Sequence, residues 1–348
     1  MLRITSFSIL YLTLFLMTKY TNPHQYASEA SETIYTLPQD MIQFQIDLDK
    51  PHSDRYTEVC KAMCQTLQAL TQKLETDLAS KLGAYKYFLF KELLHMYYHI
   101  FSSKNVYDYI SVLVDKCSVT ITTITYLQIF YDLETLFHFY VNMPKGTRSS
   151  ISDSPTSKLL KEKSKMCTTV ISRDLSKKKI LMASNLDLIN GSLLSKLTFI
   201  ANYIKNGELL YSGIVILPVM GSTRIFSHQG NFGVAVNQRN YWEESTLSSL
   251  SKFLYSIVWK QQSSCMVLLE KIGENAKNYQ EMVYMVNNEK LSSPCYLSYI
   301  GISNEKRSEG CVVERDRESI HNRYCLDDKT WFLVQTNYDR DTPDPKDD

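Results

Sequence analysis

The chain has 348 residues, 44% of them hydrophobic and 22% charged, enough apolar material for one large α/β domain or two lobes. Lys and Arg number 38 against 37 Asp and Glu, which excludes a nucleic-acid binder that relies on bulk positive charge. The 24 tyrosines and 14 phenylalanines suit either a bulky core or an apolar ligand.

Arg3 followed by the apolar run 7–17 has the build of a secretory signal, placed at residues 1–20. The run is too short to span a bilayer, and no other stretch is long and apolar enough to do so. A soluble protein in the secretory pathway is expected. Eight cysteines, at 60, 64, 117, 167, 265, 295, 311 and 325, fit an oxidising compartment, although spacing does not give connectivity. Cys60 and Cys64 stand i, i+4 on a helical pattern. That is awkward for a disulfide and lacks a second pair of zinc ligands, so packing on a helix face is the expectation.

In chain order, residues 44–50 alternate apolar and polar and predict a strand. Turn chemistry at Pro51, His52, Ser53 and Asp54 then opens a helix over about 55–82, stopped by Gly83. Residues 85–101 are apolar nearly all round and predict a helix either deeply buried or lipid-facing, with burial favoured. Residues 105–140 are again apolar, with Thr120 to Thr125 interrupting the helical pattern. Segment 144–166 is rich in Ser, Lys, Pro and Gly and predicts an exposed linker ending at Met166 and Cys167. A β-rich half follows. Strands are predicted at 168–173 and 179–183, then at 197–204 and 209–217 around the Asn206-Gly207 turn signal, and at 232–236. Helices are predicted at 243–258 and 264–284, then strands at 296–302, 311–314 and 331–335. Strands, a helical pair, then strands predict an α+β layered fold.

Zinc-protease, P-loop, nucleophile-elbow and dinucleotide motifs are absent, so no metal and no cofactor are expected. His95, His99 and His138 fall on apolar helical runs, which leaves Cys167 without a histidine base. One physical solution is scission of the Met166–Cys167 bond. The freed α-amine, titrating near about 7.7–8.0, would then take the thiol proton itself.

Cys167-Thr168-Thr169-Val170-Ile171 matches the nucleophile motif C-T-S-I-V, and Ala183-Ser184-Asn185-Leu186-Asp187 resembles G-R-N-L/M-D. Asn237-Gln238-Arg239 resembles N-E-R, and the run from Glu309 to Arg317 resembles E-G-x-V-I-T-R-x-R. The run from Trp331 to Asp339 is close to W-x-V-Q/E-T-N-Y-D. Together these segments resemble the acid ceramidase and N-acylethanolamine-hydrolysing acid amidase family of N-terminal-nucleophile hydrolases.

The resemblance implies an αββα sandwich divided into a helical α-subunit region (21–143), the linker 144–166 and a β-subunit catalytic region (167–348). It implies lysosomal targeting, self-cleavage between Met166 and Cys167, and two subunits that stay associated. The implied substrate is a lipid amide, met through transient contact with a membrane or lipid surface and without nucleic acid. N-acylethanolamines are favoured over ceramides. In this scheme Cys167 is the nucleophile, Asp187 orients its amine and Asn337 donates to the oxyanion, with Asn237 and Arg239 as candidates for oxyanion support or substrate positioning. Asn190 heads a glycosylation sequon. Two departures stand out. Ser184 occupies the place of the motif arginine, and the chain ends at Asp348, where the family continues with a further arginine. They leave open an alternative, a catalytically impaired member that binds lipid or a partner.

Overall fold

The computed structural model describes residues 41–129, 167–173, 180–186, 194–229, 231–239, 251–253, 255–303 and 307–341. The expected signal, the linker, Met166, Asp187 and Asn190 lie outside these residues.

Strand β1 (Gln43–Asp47) leads through a short helix α1 (His52–Arg55) into α2 (Thr57–Leu82), α3 (Ala84–Phe101) and α4 (Lys104–Cys117). Gly83 joins α2 to α3 at φ 74°, a left-handed position that favours glycine. The interrupting threonines prove to be a helix start. Thr120 Oγ1 accepts from the Thr123 backbone N–H at 3.4 Å, as an N-cap does, and residues 121–129 are helical.

Helix α3 is not buried all round. Phe90, Leu94 and Tyr98 turn inward, while Tyr85, Phe88 and Met96 are exposed. Phe90 and Leu94 form a satellite cluster with Leu78, Tyr126 and Ile129, outside the main core. The helix therefore packs on one flank only.

The β-rich half forms two sheets. The larger has the order β1-β4-β5-β6-β7-β8-β9-β10 and the smaller β11-β2-β3. Their strands are β2 (Thr168–Arg173), β3 (Ile180–Asn185), β4 (Thr198–Lys205), β5 (Glu208–Ile216), β6 (Ser222–Ser227), β7 (Phe232–Gln238), β8 (Cys295–Ile302), β9 (Ser308–Arg315), β10 (Ile320–Cys325) and β11 (Phe332–Gln335). The Asn-Gly signal holds: Asn206 and Gly207 turn β4 into β5 with φ of 51° and 79°, the pair of positive angles a type I′ hairpin requires.

Strands β6 and β10 were not expected. The helix predicted over 264–284 is two, α5 (Cys265–Asn275) and α6 (Tyr279–Asn288). Asn278 breaks it as an N-cap, its side chain accepting from the Glu281 N–H at 2.9 Å while Glu281 accepts from the Lys277 N–H, also at 2.9 Å.

One face of the larger sheet carries the main core. Phe199, Tyr203, Val234 and Leu297 pack there with Val59, Met63 and Leu67 of α2 and Leu268 and Leu269 of α5. The other face meets the smaller sheet through Ile300 and Val312 against Ile171 and Leu333. The two sheets touch so closely at β9 that a Cβ on Gly310 would lie 2.8 Å from both Ile171 Cγ2 and Ile180 Cδ1. Helices, larger sheet and smaller sheet thus stack in order, giving the α+β sandwich expected for an N-terminal-nucleophile hydrolase.

Two disulfides tie these parts. Cys64 bonds to Cys117, joining α2 to α4, and Cys311 to Cys325, joining β9 to β10. Cys64 is therefore a cross-link and not only a packing residue. Its sequence neighbour Cys60 remains a free buried thiol, and burial pushes its pKa up to about 11. Three cysteine sulfurs, of 60, 64 and 117, cluster there, but two of them are consumed by the disulfide.

Candidate active site

Cys167 sits at the start of β2, at the seam where the smaller sheet lies over the larger one, and is 3% exposed. Side chains alternate along a strand, so Cys167, Thr169 and Ile171 share the buried face while Thr168 and Val170 point the other way. Register fixes their neighbours: Thr169 is opposite Ser184 on β3 and opposite Gln335 on β11.

Three segments far apart in the chain converge here. The Cys167 backbone N–H donates to Asn337 Oδ1 at 2.6 Å, and Asn337 Nδ2 donates to the Gln238 carbonyl at 2.6 Å. Thr169 Oγ1 donates to Asn237 Oδ1 at 2.8 Å, and Asn237 Nδ2 donates to the Gln335 carbonyl at 3.0 Å. Two asparagines therefore lace β2, β7 and the end of β11 together. In the uncleaved chain Asn337 holds the nitrogen of Cys167, the atom that scission would turn into an amine. Asn237 has both ends of its carboxamide engaged with the protein, so in this state it acts as a clamp.

Arg239 has no solvent exposure. Its Nε and Nη2 donate to the two Asp339 carboxylate oxygens at 2.7 Å each, and its Nη1 donates to Asp316 at 2.6 Å. Burial alone works against its charge, but the hydrogen bonds and charge of Asp339, with Asp316, hold its pKa above the ordinary arginine value. Tyr296 Oη donates to Asp339 at 2.8 Å. The network anchors residues 337–339 to residues 237–239, so Arg239 braces the Asn337 loop from within the core.

Of the residues named from sequence, the structure brings together Cys167, Asn337, Asn237 and Arg239. Asp187 lies just past the described end of β3. His95 and His99, with rings 4.3 Å apart, belong to an aromatic group with Tyr98 and Tyr107 on the α3–α4 side. Sequence reasoning missed Thr169 and Arg224. Arg224, on β6, turns its guanidinium onto Ser184, its Nε donating to the serine hydroxyl. A lone charge inside a β-type run was the available signal.

No family model matches the chain. Comparison with curated proteins finds relatives of two names. The "N-acylethanolamine-hydrolyzing acid amidase" of Oryctolagus cuniculus is 29% identical over 202 residues, 57% of this chain and 53% of that protein. The Caenorhabditis elegans protein of the same name is 22% identical over 298 residues, 85% of this chain and 74% of that one. The "Acid ceramidase" of Heterocephalus glaber is 28% identical over 190 residues, 50% of this chain and 46% of that protein. The chain thus spans about half the length of the rabbit relative.

Proposed function

The chain belongs to the acid ceramidase and N-acylethanolamine-hydrolysing acid amidase family, and from that premise we propose that it is a self-cleaving cysteine amidase that hydrolyses fatty-acid amides. The observation that carries this reading is the 2.6 Å bond between the Cys167 nitrogen and Asn337 Oδ1. It joins the two segments of greatest motif likeness at one point.

In the first step the Cys167 thiol, as thiolate, attacks the carbonyl of Met166. The peptide C–N bond breaks, a thioester forms, and the departing nitrogen takes up a proton. Water then hydrolyses the thioester, leaving Cys167 with a free α-amine and a free thiol. In the second reaction that amine accepts the thiol proton as sulfur attacks the substrate amide. The tetrahedral oxyanion takes a hydrogen bond from Asn337 Nδ2, released from Gln238, in a role worth about 2.7–4 kcal/mol for one such donor. The protonated amine then gives its proton to the leaving amine, and water clears the acyl-thioester.

Asp187 is assigned to orienting the amine, two residues beyond Asn185, which pairs with Thr168. N-acylethanolamines are favoured over ceramides as substrates, and the lysosome or the secretory route as the location. The two disulfides support an oxidising compartment. Among the described residues no helix is long and apolar enough to cross a membrane.

Ser184 in the place of the motif arginine favours a second reading, a family member that binds lipid without cleaving it. Intact mass after secretion and acidification decides between them. The first reading expects two chains dividing before Cys167 and a single chain for Cys167→Ala. A wild-type chain that never divides and matches Cys167→Ala in mass behaviour would sink it. A paired assay with an N-acylethanolamine and a ceramide then sets the substrate class.

A further inference from the structure

We propose that Arg224 is a positioning residue for the Cys167 thiol: from the opposing sheet it supplies a fixed positive charge beside the nucleophile's strand. The proposal rests on the reading of Cys167 as nucleophile and deepens it.

The geometry follows from register. Arg224 on β6 is opposite Ala235 on β7, and Asn237 lies two residues further along β7 on the same face. That face looks at the smaller sheet, where Asn237 meets Thr169 and Arg224 meets Ser184. Thr169 and Ser184 are themselves a cross-strand pair. The four side chains therefore form two parallel ties between the sheets, one neutral and one cationic. Cys167 continues the same face of β2 two positions on, roughly 6–7 Å along the strand.

The guanidinium is held on more than one side. Nε donates to Ser184 Oγ and Nη1 to Thr223 Oγ1 at 3.4 Å. Ser184 is buried. A cation in such a seam acts through a lower dielectric than water and favours thiolate over thiol.

The charged and titratable groups packed against this face are few among the described residues. From β7 comes Asn237, which is neutral, and just past its end Arg239, which is engaged by Asp339 and Asp316. From β8 comes Tyr296, bonded to Asp339, and from β9 comes Glu314, buried opposite Tyr296, its carboxylate accepting from the Asn322 side chain and the Arg340 backbone N–H. From the β11 end comes Asn337. On β3 the serine at 184 has no charge to offer, and the charge arrives from β6 instead. A serine at 184 is what leaves room for it, because two guanidinium groups at that point would repel.

The test uses the full secreted chain as wild type, Arg224→Met, Arg224→Lys, and a charge swap carrying Ser184→Arg with Arg224→Ser. The readout is the pH midpoint of scission before Cys167, followed by intact mass. Arg224→Met is expected to move the midpoint up by about one pH unit, as loss of one nearby opposite charge does. Arg224→Lys and the swap are expected to return it to within a few tenths of wild type.

A tie that merely holds the sheets together would lower stability without moving the midpoint. An unchanged midpoint in Arg224→Met, or a folded swap that behaves like Arg224→Met, would overturn the proposal. If Arg224→Met does not fold, Arg224→Lys and the swap decide it alone. If wild type never divides, the nucleophile reading has failed by itself. The pH midpoint of Cys167 alkylation by iodoacetamide, mapped by peptide mass, then tests the charge effect separately.

Discussion

Glu270 gives the fold an acid-favoured seam, and its substitution by Gln has a calculable effect. The carboxyl lies on α5 against β4, where Tyr203 Oη donates to it at 2.6 Å and Tyr203 stacks on Tyr211 with ring centroids 4.2 Å apart. Burial drives its pKa up from 4.5 to about 7, with the Tyr203 hydrogen bond opposing, Glu274 adding to the rise and Arg55 opposing it. The folded state therefore holds this proton more tightly than the unfolded chain. The resulting stability is fully present below about pH 4.5, declines as pH rises, and is gone above about 7. A rise of this size corresponds to roughly 3 kcal/mol. Urea unfolding of the uncleaved chain, in a Cys167→Ala background, at pH 4.5 to 8 measures it. The stability difference between the parent and Glu270→Gln should change by about 3 kcal/mol across that range, in favour of the parent at the acid end. A difference that stays constant with pH would show that Glu270 does not carry the effect.

The remaining substitutions each probe one joint. Asp339→Asn should cost about 3–5 kcal/mol in unfolding free energy, because it leaves the buried Arg239 charge short of its bidentate partner. Cys64→Ser with Cys117→Ser opens a cross-link spanning 53 residues and should cost about 2–4 kcal/mol, with a matching loss of one disulfide in non-reduced mass. Gly310→Ala forces a methyl against Ile171 and Ile180 and should cost about 1–3 kcal/mol, of which Ile180→Val in the same chain recovers part. Asn337→Asp keeps the acceptor toward the Cys167 nitrogen but removes the donor. Scission should survive better than substrate turnover, which should fall by about 100-fold or more.

Most strands were legible because burial on one face writes a period of two into the sequence. The β4–β5 hairpin was marked further by Asn206 and Gly207, whose backbone angles few other residues adopt. Strand β10 escaped because its residues, Ile320–Cys325, are half-buried to exposed with polar residues between, so no buried face shows in the pattern. Strand β6 begins with Ser222 and Thr223, buried polar residues that read as a turn; their place in a strand is set by pairing with β5, where Thr223 Oγ1 donates to the Ile214 carbonyl. The break between α5 and α6 had a written signal in Asn278 and Glu281, overlooked because apolar spacing ran through it. Helix α3 misled in the other direction: its composition suits burial on every side, yet Tyr85 and Phe88 are exposed. Of the site, Cys167 and Asn337 were readable from motif likeness. Arg224 was not, since its place is set by register between β6 and β7 and by the stacking of two sheets.

The Cys167 site and the Glu270 seam are joined by the consequence of scission. Tyr56, whose pKa burial raises and in whose field Glu270 takes part, belongs to the segment before the proposed cut, and Glu270 to the segment after it. Cutting before Cys167 turns an internal core into an interface between two chains, so the packing of α2 on the larger sheet becomes an association equilibrium. A protonated Glu270 removes the cost of burying a charge at that interface, and the cost returns as the carboxyl ionises. The same acidity that leaves the seam neutral also protonates an unassisted thiol. On the proposed mechanism, a fixed cation near Cys167 would let thiolate chemistry persist at the acidity that favours the interface, and Arg224 is placed to provide it.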